Sequence, residues 1–470
     1  MRKDDCVNRV DKLVLYSGRT AMALLCVLMT DCCIFGAGRV ISFGPVSFRM
    51  LVLGLLLISS VPALLTQFHT LIRNKYIWVV LLFALWLVVS AIIGLINNHR
   101  RELIMTDLKG FAYFAILPVC CCIIQNRSRI YLLMKCMMYA SAFLALFTCV
   151  LLFLYVWFPD FFFVMNRFFS PMQVAAISLI SSKIPRMFFK SVLYLLCGCA
   201  FSVYFQVTSS SKKIYPQYLA ITGLCLFALL MSYTRSVYLA ALIAAGGCIA
   251  FLVAFGNRTL HTKLFLQIGT GVVAFLVIVG LFSVTANTNY FSYALKRSLP
   301  IETNEPSIPI NPSSDSSGGP SRPSEDQMKD NYLQLTLQSD ELRQKTMEQL
   351  WLNINRSPLI GLGLGAEIPI RPDGLNEYFY MDLWSKGGFV GLSLYLMPLV
   401  LMIVYLVRSF HKPQVDKLLL GIWLSVLLGF MSFSLFNPYM NAALGILYYC
   451  CTIGVFQCEE KNYYVKPEPV

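Results

Sequence analysis

The sequence predicts an all-α polytopic membrane protein, with about 12 transmembrane helices and one long outer, periplasmic loop that contains an amphipathic helix. Three observations carry this. Of the 470 residues, 57% are apolar and 13% charged, where a soluble domain has roughly 45–50% and 25%; mean hydropathy is +0.66. The apolar residues gather into runs of the length that crosses a bilayer, about 20 residues each. The basic residues behind the net charge of +14 lie in short segments between those runs. That scatter reads as membrane topology and not as a nucleic-acid surface.

In chain order the apolar segments are 15–36, 50–66, 76–97, 110–124, 131–158, 189–207, 217–233, 236–256, 264–285, 388–407, 418–436 and 439–457. The first follows Arg2, Lys3, Arg9 and Lys12, and many more follow it, so it reads as a retained helix and not a cleaved signal. The fourth is short for a span. Residues 159–188 hold Phe161, Phe162, Phe163, Phe168 and Phe169, a composition suited to a helix lying in the membrane interface. With the N-terminus inside, the inner segments hold the larger share of Lys and Arg, including Arg73, Lys75, Arg127, Arg129, Lys212, Lys213, Arg408, Lys412 and Lys417, as the positive-inside rule requires. The short outer loops still carry Arg39, Arg49, Arg100, Arg101, Lys109, Arg167, Lys183, Arg186, Lys190 and Arg235. These either meet lipid headgroups or build a cationic site for an anionic lipid substrate.

This divides the chain into spans one to nine (1–285), an outer loop (286–387), spans ten to twelve (388–457) and a cytoplasmic tail (458–470). Within the loop, residues 300–326 are rich in Pro and Ser and predict a flexible linker. The part from 339 to 387 should be helical and carry the site. Leu342, Met347, Leu350, Trp351 and Ile354 recur at helical spacing, with Asp340 and Glu341 in the first turn, which predicts an amphipathic helix over 339–355 that ends before Pro358. The sixteen cysteines avoid this loop; Cys120, Cys121 and Cys122 are consecutive, as are Cys450 and Cys451. They read as small apolar membrane side chains and not as a disulfide framework.

Much chemistry is disfavoured by the residues present. The four histidines form no HExxH pair and no Cys/His cluster, so a metal site is not expected. There is no P-loop, no Asp-x-Asp pair and no GxSxG elbow. The positive signal is Arg235, the single charge in residues 217–256, in Ser232-Tyr233-Thr234-Arg235-Ser236 at the hinge between two apolar runs. An ionisable residue there is either functional or snorkels to headgroups. Arg356 is followed by Gly361, Gly363 and Gly365, which either expose backbone N–H groups to an anion or let the chain pack closely on a helix. Arg371, Glu377 and Tyr378 then lead into the tenth span, with Glu377, Tyr378, Met381 and Trp384 at helical spacing and Asp382 facing elsewhere.

Together, Thr234-Arg235-Ser236, a long loop, Arg343 opening a helix, Pro358 to Gly365 and Gly388 to Gly391 resemble the O-antigen ligase and O-antigen polymerase superfamily of bacterial envelope glycosyltransferases. The resemblance implies a helical membrane protein of the bacterial inner membrane, both termini cytoplasmic, with its site on the outer face. It implies transfer of a glycan from an undecaprenyl-diphosphate carrier to a sugar hydroxyl, without a cofactor. Arginine suits the diphosphate leaving group because it is always charged and binds phosphate oxygens in pairs. Arg235 matches the family's hinge arginine and Arg343 its loop-helix arginine; Arg371, Arg356, Arg100 and Arg101 are further candidates for the diphosphate or glycan, with Gly361, Gly363, Gly365 and Tyr378. Ligases of the family carry a histidine about eleven residues before the position of Gly388, where this chain has Glu377. A carboxylate with a raised pKa could serve as general base there. The departure favours a polymerase, which uses a second carrier-linked unit as acceptor, over a ligase, which uses lipid A–core. A transporter or flippase is the alternative of another class, though no internal repeat supports it. Expected partners are the carrier-linked oligosaccharide, membrane lipid and a chain-length regulator; nucleic acid is not expected.

Overall fold

The computed structural model describes residues 3–36, 40, 42–43, 46–158, 160–181, 184–209, 215–255, 258–285, 325–371 and 376–464. The protein is a bundle of helices. α1 is Lys3–Phe35, followed by the two-residue strands β1 (Ser42–Phe43) and β2 (Val46–Ser47). Next come α2 (Phe48–Thr66), α3 (Phe68–Ile72) and α4 (Lys75–Ile96). α5 (Arg101–Phe111) continues through a 3-10 turn into α6 (Leu117–Ile123), and α7 is Arg127–Trp157. Side-chain oxygens cap several of these helices: Ser47 on α2, Asn74 on α4 and Asn126 on α7 each accept a first-turn N–H.

α8 (Phe161–Met172) leads into an antiparallel hairpin, β3 (Ala175–Ser181) with β4 (Ile184–Phe189). Four helices follow: α9 (Tyr194–Thr208), α10 (Pro216–Leu230), α11 (Arg235–Phe255) and α12 (Arg258–Thr285). After residues 286–324, outside the described part, come α13 (Glu325–Arg356), α14 (Phe379–Arg408), α15 (Lys417–Phe433) and α16 (Ala443–Tyr464).

Among the described residues, seven helical stretches are long and apolar enough to cross a membrane: Val14–Phe35, Phe48–Thr66, Lys75–Ile96, Arg101–Ile123, Arg127–Trp157, Arg235–Phe255 and Phe379–Arg408. Shorter apolar helices include Tyr194–Thr208, Pro216–Leu230, Gly269–Val284 and Lys417–Phe433. The outward face of α4 shows the solvent such a bundle needs, because Leu81, Leu82, Leu85, Val88 and Ile92 are all exposed. Leucine and valine side chains exposed along a continuous helix are at home in lipid, not in water. The chain is an integral membrane protein.

Four expectations need correction. The fourth span is not short: its helix begins at Arg101, and Arg101 and Lys109 belong to it. The 159–188 segment holds a helix but ends in the β3–β4 hairpin. There Ala175, Ile177, Met187 and Phe189 alternate inward and are buried, while Arg186 and Phe188 take the opposite face. The loop helix begins at Glu325 and not at Ser339, so residues 325 and 326 are already helical and Arg343 lies well inside α13 and does not open it. The tenth helix begins at Phe379 and absorbs the end of the predicted loop; the rest of the linker, 300–324, lies outside the described residues.

The segment after α13 is built into the bundle. Leu364 N–H donates to the Ser90 carbonyl of α4 (3.0 Å), while Leu362 and Gly363 N–H donate to the Ser385 and Lys386 carbonyls of α14 (2.8 and 3.0 Å). Ser90 Oγ donates to the same Lys386 carbonyl (2.9 Å). Such sharing needs backbones at nearly touching distance. A Cβ on Gly94 would overlap the Leu364 carbonyl oxygen. Gly388 has φ +68 and breaks α14 at the point where a Cβ would overlap the Leu359 carbonyl oxygen. Below this seam, Phe83, Phe111, Phe114, Phe379, Tyr395 and Tyr449 pack edge to face, with centroids 5.1 to 6.4 Å apart.

Gly388→Ala should therefore destabilise the protein. The backbone strain alone is worth about 1–3 kcal/mol, and the overlap with Leu359 adds to it. Thermal unfolding read by the exposure of buried thiols should show a lowered midpoint. An unchanged midpoint would mean that the seam gives way without cost.

Candidate active site

The hinge between α10 and α11 is tight. Residues 231–234 join the two helices, and Tyr233, fully buried, sits at φ +45, a conformation that a bulky residue adopts only when its surroundings impose it. The imposing group is on the hairpin. Arg186 Nε donates to the Ser232 carbonyl (3.2 Å) and its terminal nitrogen to Thr234 Oγ1 (3.1 Å). Asn437, beyond α15, donates to Ser236 Oγ (2.9 Å) from the other side. Arg235 thus emerges from a clamped turn, at the first residue of α11, close to α13.

Helix α13 supplies the facing wall. Asp340 lies 3.8 Å from Arg235 and 3.4 Å from Arg343, bridging the two guanidiniums. Arg343 Nε donates to one oxygen of Glu377 (2.7 Å), and Arg371 donates to the other (2.7 Å). Three arginines from α11, α13 and the following segment are thereby linked through two carboxylates. Burial pulls the Arg343 guanidinium down, but its bond to Glu377 and the nearby Asp340 outweigh this and leave it above its ordinary value. Burial likewise pushes the Tyr378 phenol up, the neighbouring Arg343 drawing it partly back. Tyr378 therefore stays a neutral hydrogen-bond donor at physiological pH.

The constellation opens on a cavity of about 700 Å³. Its cationic part is Arg186, Arg235 and Arg343; its apolar part includes Phe188, Leu239, Met347 and Phe436. A cavity lined by three guanidiniums, the Asp340 carboxylate and aliphatic and aromatic side chains fits an amphiphilic anion.

The structure brings Arg235, Arg343, Arg371, Glu377 and Tyr378 together. Arg100 is elsewhere, paired with Glu367; Arg101 and Arg356 are exposed at helix ends, and none of these three lines the cavity. The amides of Gly361, Gly363 and Gly365 donate within the protein, to the Ser357 carbonyl, the Lys386 carbonyl and the Asp107 carboxylate. Sequence reasoning placed Arg186 only among the outer basic residues. Its signal was the alternation of Arg186 and Phe188 with Met187 and Phe189, which marks a strand with one polar face. It also missed Asn376 and Lys386. Asn376 donates to Asp382, and Lys386 Nζ, 3% exposed, holds Asp107 and Asp382 at 2.9 Å each.

None of the curated proteins matches the chain. Residues 220–396 match the family model described as O-Antigen ligase. The part of the chain that supplies Arg235, Arg343, Arg371 and Glu377 thus matches the family that its motifs resemble.

Proposed function

We propose that this protein is a polymerase of surface polysaccharide. It would transfer a glycan from an undecaprenyl-diphosphate carrier to a sugar hydroxyl of another carrier-linked repeat unit, at the outer face of a bacterial inner membrane. The observation that carries the reading is the amphiphilic cavity lined by Arg186, Arg235 and Arg343 together with apolar side chains. A lipid diphosphate has the matching halves, a dense anion and an isoprenoid chain. The cluster sits at the helix-end face of the bundle, beside α13, and not midway along the spans as a transport site would.

Each group then has a task. As the glycosidic bond breaks, negative charge collects on the diphosphate, and guanidiniums already in place stabilise it without reorganising. Glu377 starts with both oxygens occupied by arginines. The incoming diphosphate competes for Arg343 and frees one Glu377 oxygen. That oxygen takes the proton of the acceptor hydroxyl as its oxygen bonds to the anomeric carbon, and the diphosphate departs with the electron pair of the old bond. Glu377 at the position where the resemblance leads a ligase to carry a histidine favours the polymerase reading.

Purified protein in nanodiscs, given carrier-linked repeat unit alone, should make a ladder of longer carrier-linked products. Products formed only when lipid A–core is added would make it a ligase instead. Arg235→Lys should lower turnover by about 10²–10³, the usual effect of losing one aligned donor to a developing anion, because a point charge does not replace a planar fork. Equal turnover by the lysine variant would refute the fork. Glu377→Gln should abolish transfer while donor binding persists; normal transfer would remove Glu377 as the base.

A further inference from the structure

A second cavity, of about 270 Å³, is lined in part by chain neighbours of residues that line the first. Two stretches of chain contribute to both. Asn376 lines the second cavity and Tyr378 the first; Pro438 lines the second and Asn437 the first. Glu377 is the residue between Asn376 and Tyr378 in the chain. The second cavity is lined by Asp107, Asp382, Lys386, Asn376 and Asn441, with Phe111 and Phe379 among its apolar surfaces.

Its electrostatics are opposite to those of the first. Two carboxylates share one ammonium, and no arginine lines it. A diphosphate would be repelled here, while a neutral polyol would find acceptors, amides and aromatic faces. One polar atom is left waiting: Asn376 is 3% exposed, its amide nitrogen donates to Asp382, and its Oδ1 accepts no hydrogen bond among the described residues. A buried acceptor of this kind costs about 1–3 kcal/mol unless a donor reaches it. A sugar hydroxyl is such a donor. The volume lies just under the roughly 300–1,000 Å³ of drug-sized sites and far above the about 30 Å³ of one water, which suits one pyranose ring.

We propose that this second cavity binds the acceptor: a single neutral sugar ring at the end of the accepting glycan, with a hydroxyl on Asn376 Oδ1. The donor diphosphate occupies the arginine cavity, and the two substrates meet across Glu377. The assignment of acceptor and donor rests on the polymerase reading; the sugar site itself does not.

The test uses full-length protein in nanodiscs and two probes, the octyl glycoside of the repeat unit isolated from the producing cells and undecaprenyl diphosphate, each titrated separately. Asn376→Ala should weaken glycoside binding about tenfold, the upper range for one neutral hydrogen bond, and leave undecaprenyl diphosphate binding unchanged. Ala442→Met, which fills the cavity and leaves Lys386, Asp107 and Asp382 untouched, should do the same. Arg235→Lys should show the reverse pattern. Thermal unfolding identifies any variant that fails to fold. Glycoside binding equal to wild type in both folded cavity variants, or no glycoside binding by the wild type, overturns the proposal. Glycoside binding that follows the expected pattern, with no binding of undecaprenyl diphosphate, would sink the polymerase reading and leave the sugar site standing.

Discussion

One buried ammonium organises the site end of this protein. Lys386 lies inside α14, almost without solvent, and holds Asp107 of α5 and Asp382 one turn before it. A lysine charge in such a place is costly unless it is fully partnered. Here the partnering is used as a fastener. Asp107 also accepts the Gly365 amide (2.8 Å), and Asp382 accepts from Asn376, so one cation fixes a membrane helix, the glycine segment and the residue preceding Glu377. The backbone of the same lysine accepts from Gly363 and Ser90. Removing the charge would leave two carboxylates without their shared cation, one of them, Asp382, buried.

A second clamp works by different means. The hinge that presents Arg235 is held by hydrogen bonds from Arg186 and Asn437, which come from parts of the chain far from it in sequence. The strained Tyr233 backbone is the mark of that constraint. Arg235 is therefore aimed by tertiary structure, and the two arginines beyond it are aimed by Glu377. Rigid donors around a cavity are the arrangement that phosphate chemistry needs when charge must be met where it appears.

Much of the fold was legible because lipid imposes a simple code. Apolar runs of span length, broken by basic turns, read directly as helices; each apolar segment drawn from the sequence overlaps a helix, and among the described residues seven helical stretches are long and apolar enough to cross a membrane. Boundaries were less legible where polar residues enter helices: Arg101 and Lys109 sit in a helix that continues into an apolar one, and α13 runs back to Glu325 from the Ser339 start drawn from the sequence. Of the candidate site, Arg235, Arg343, Arg371, Glu377 and Tyr378 were visible as charge or aromatic residues in unusual places, and the structure gathers them. Arg186 was not singled out, since its role depends on a hairpin whose two strands alternate for only a few residues. Lys386 and Asp107 were not legible as a pair because 279 residues separate them. The glycine segment shows the same limit: its sequence allowed either an anion nest or close packing, and only the positions of Ser90, Gly94 and Lys386 decide where its amides point.

That segment also sets an order of assembly. Ser90 and Gly94 form half of a slot whose other half, around Lys386, follows 296 residues later in the chain. At about 5–20 residues per second, α4 stands in the membrane for roughly tens of seconds before its partner is made. Throughout that interval the slot has no filling, and the neighbouring helices must associate without it. The last spans therefore act as a closing key: the scaffold forms first, and the reactive end is completed only when nearly the whole chain has left the ribosome. A truncated product would carry the earlier helices and the hinge arginine but not the cluster that Lys386 completes.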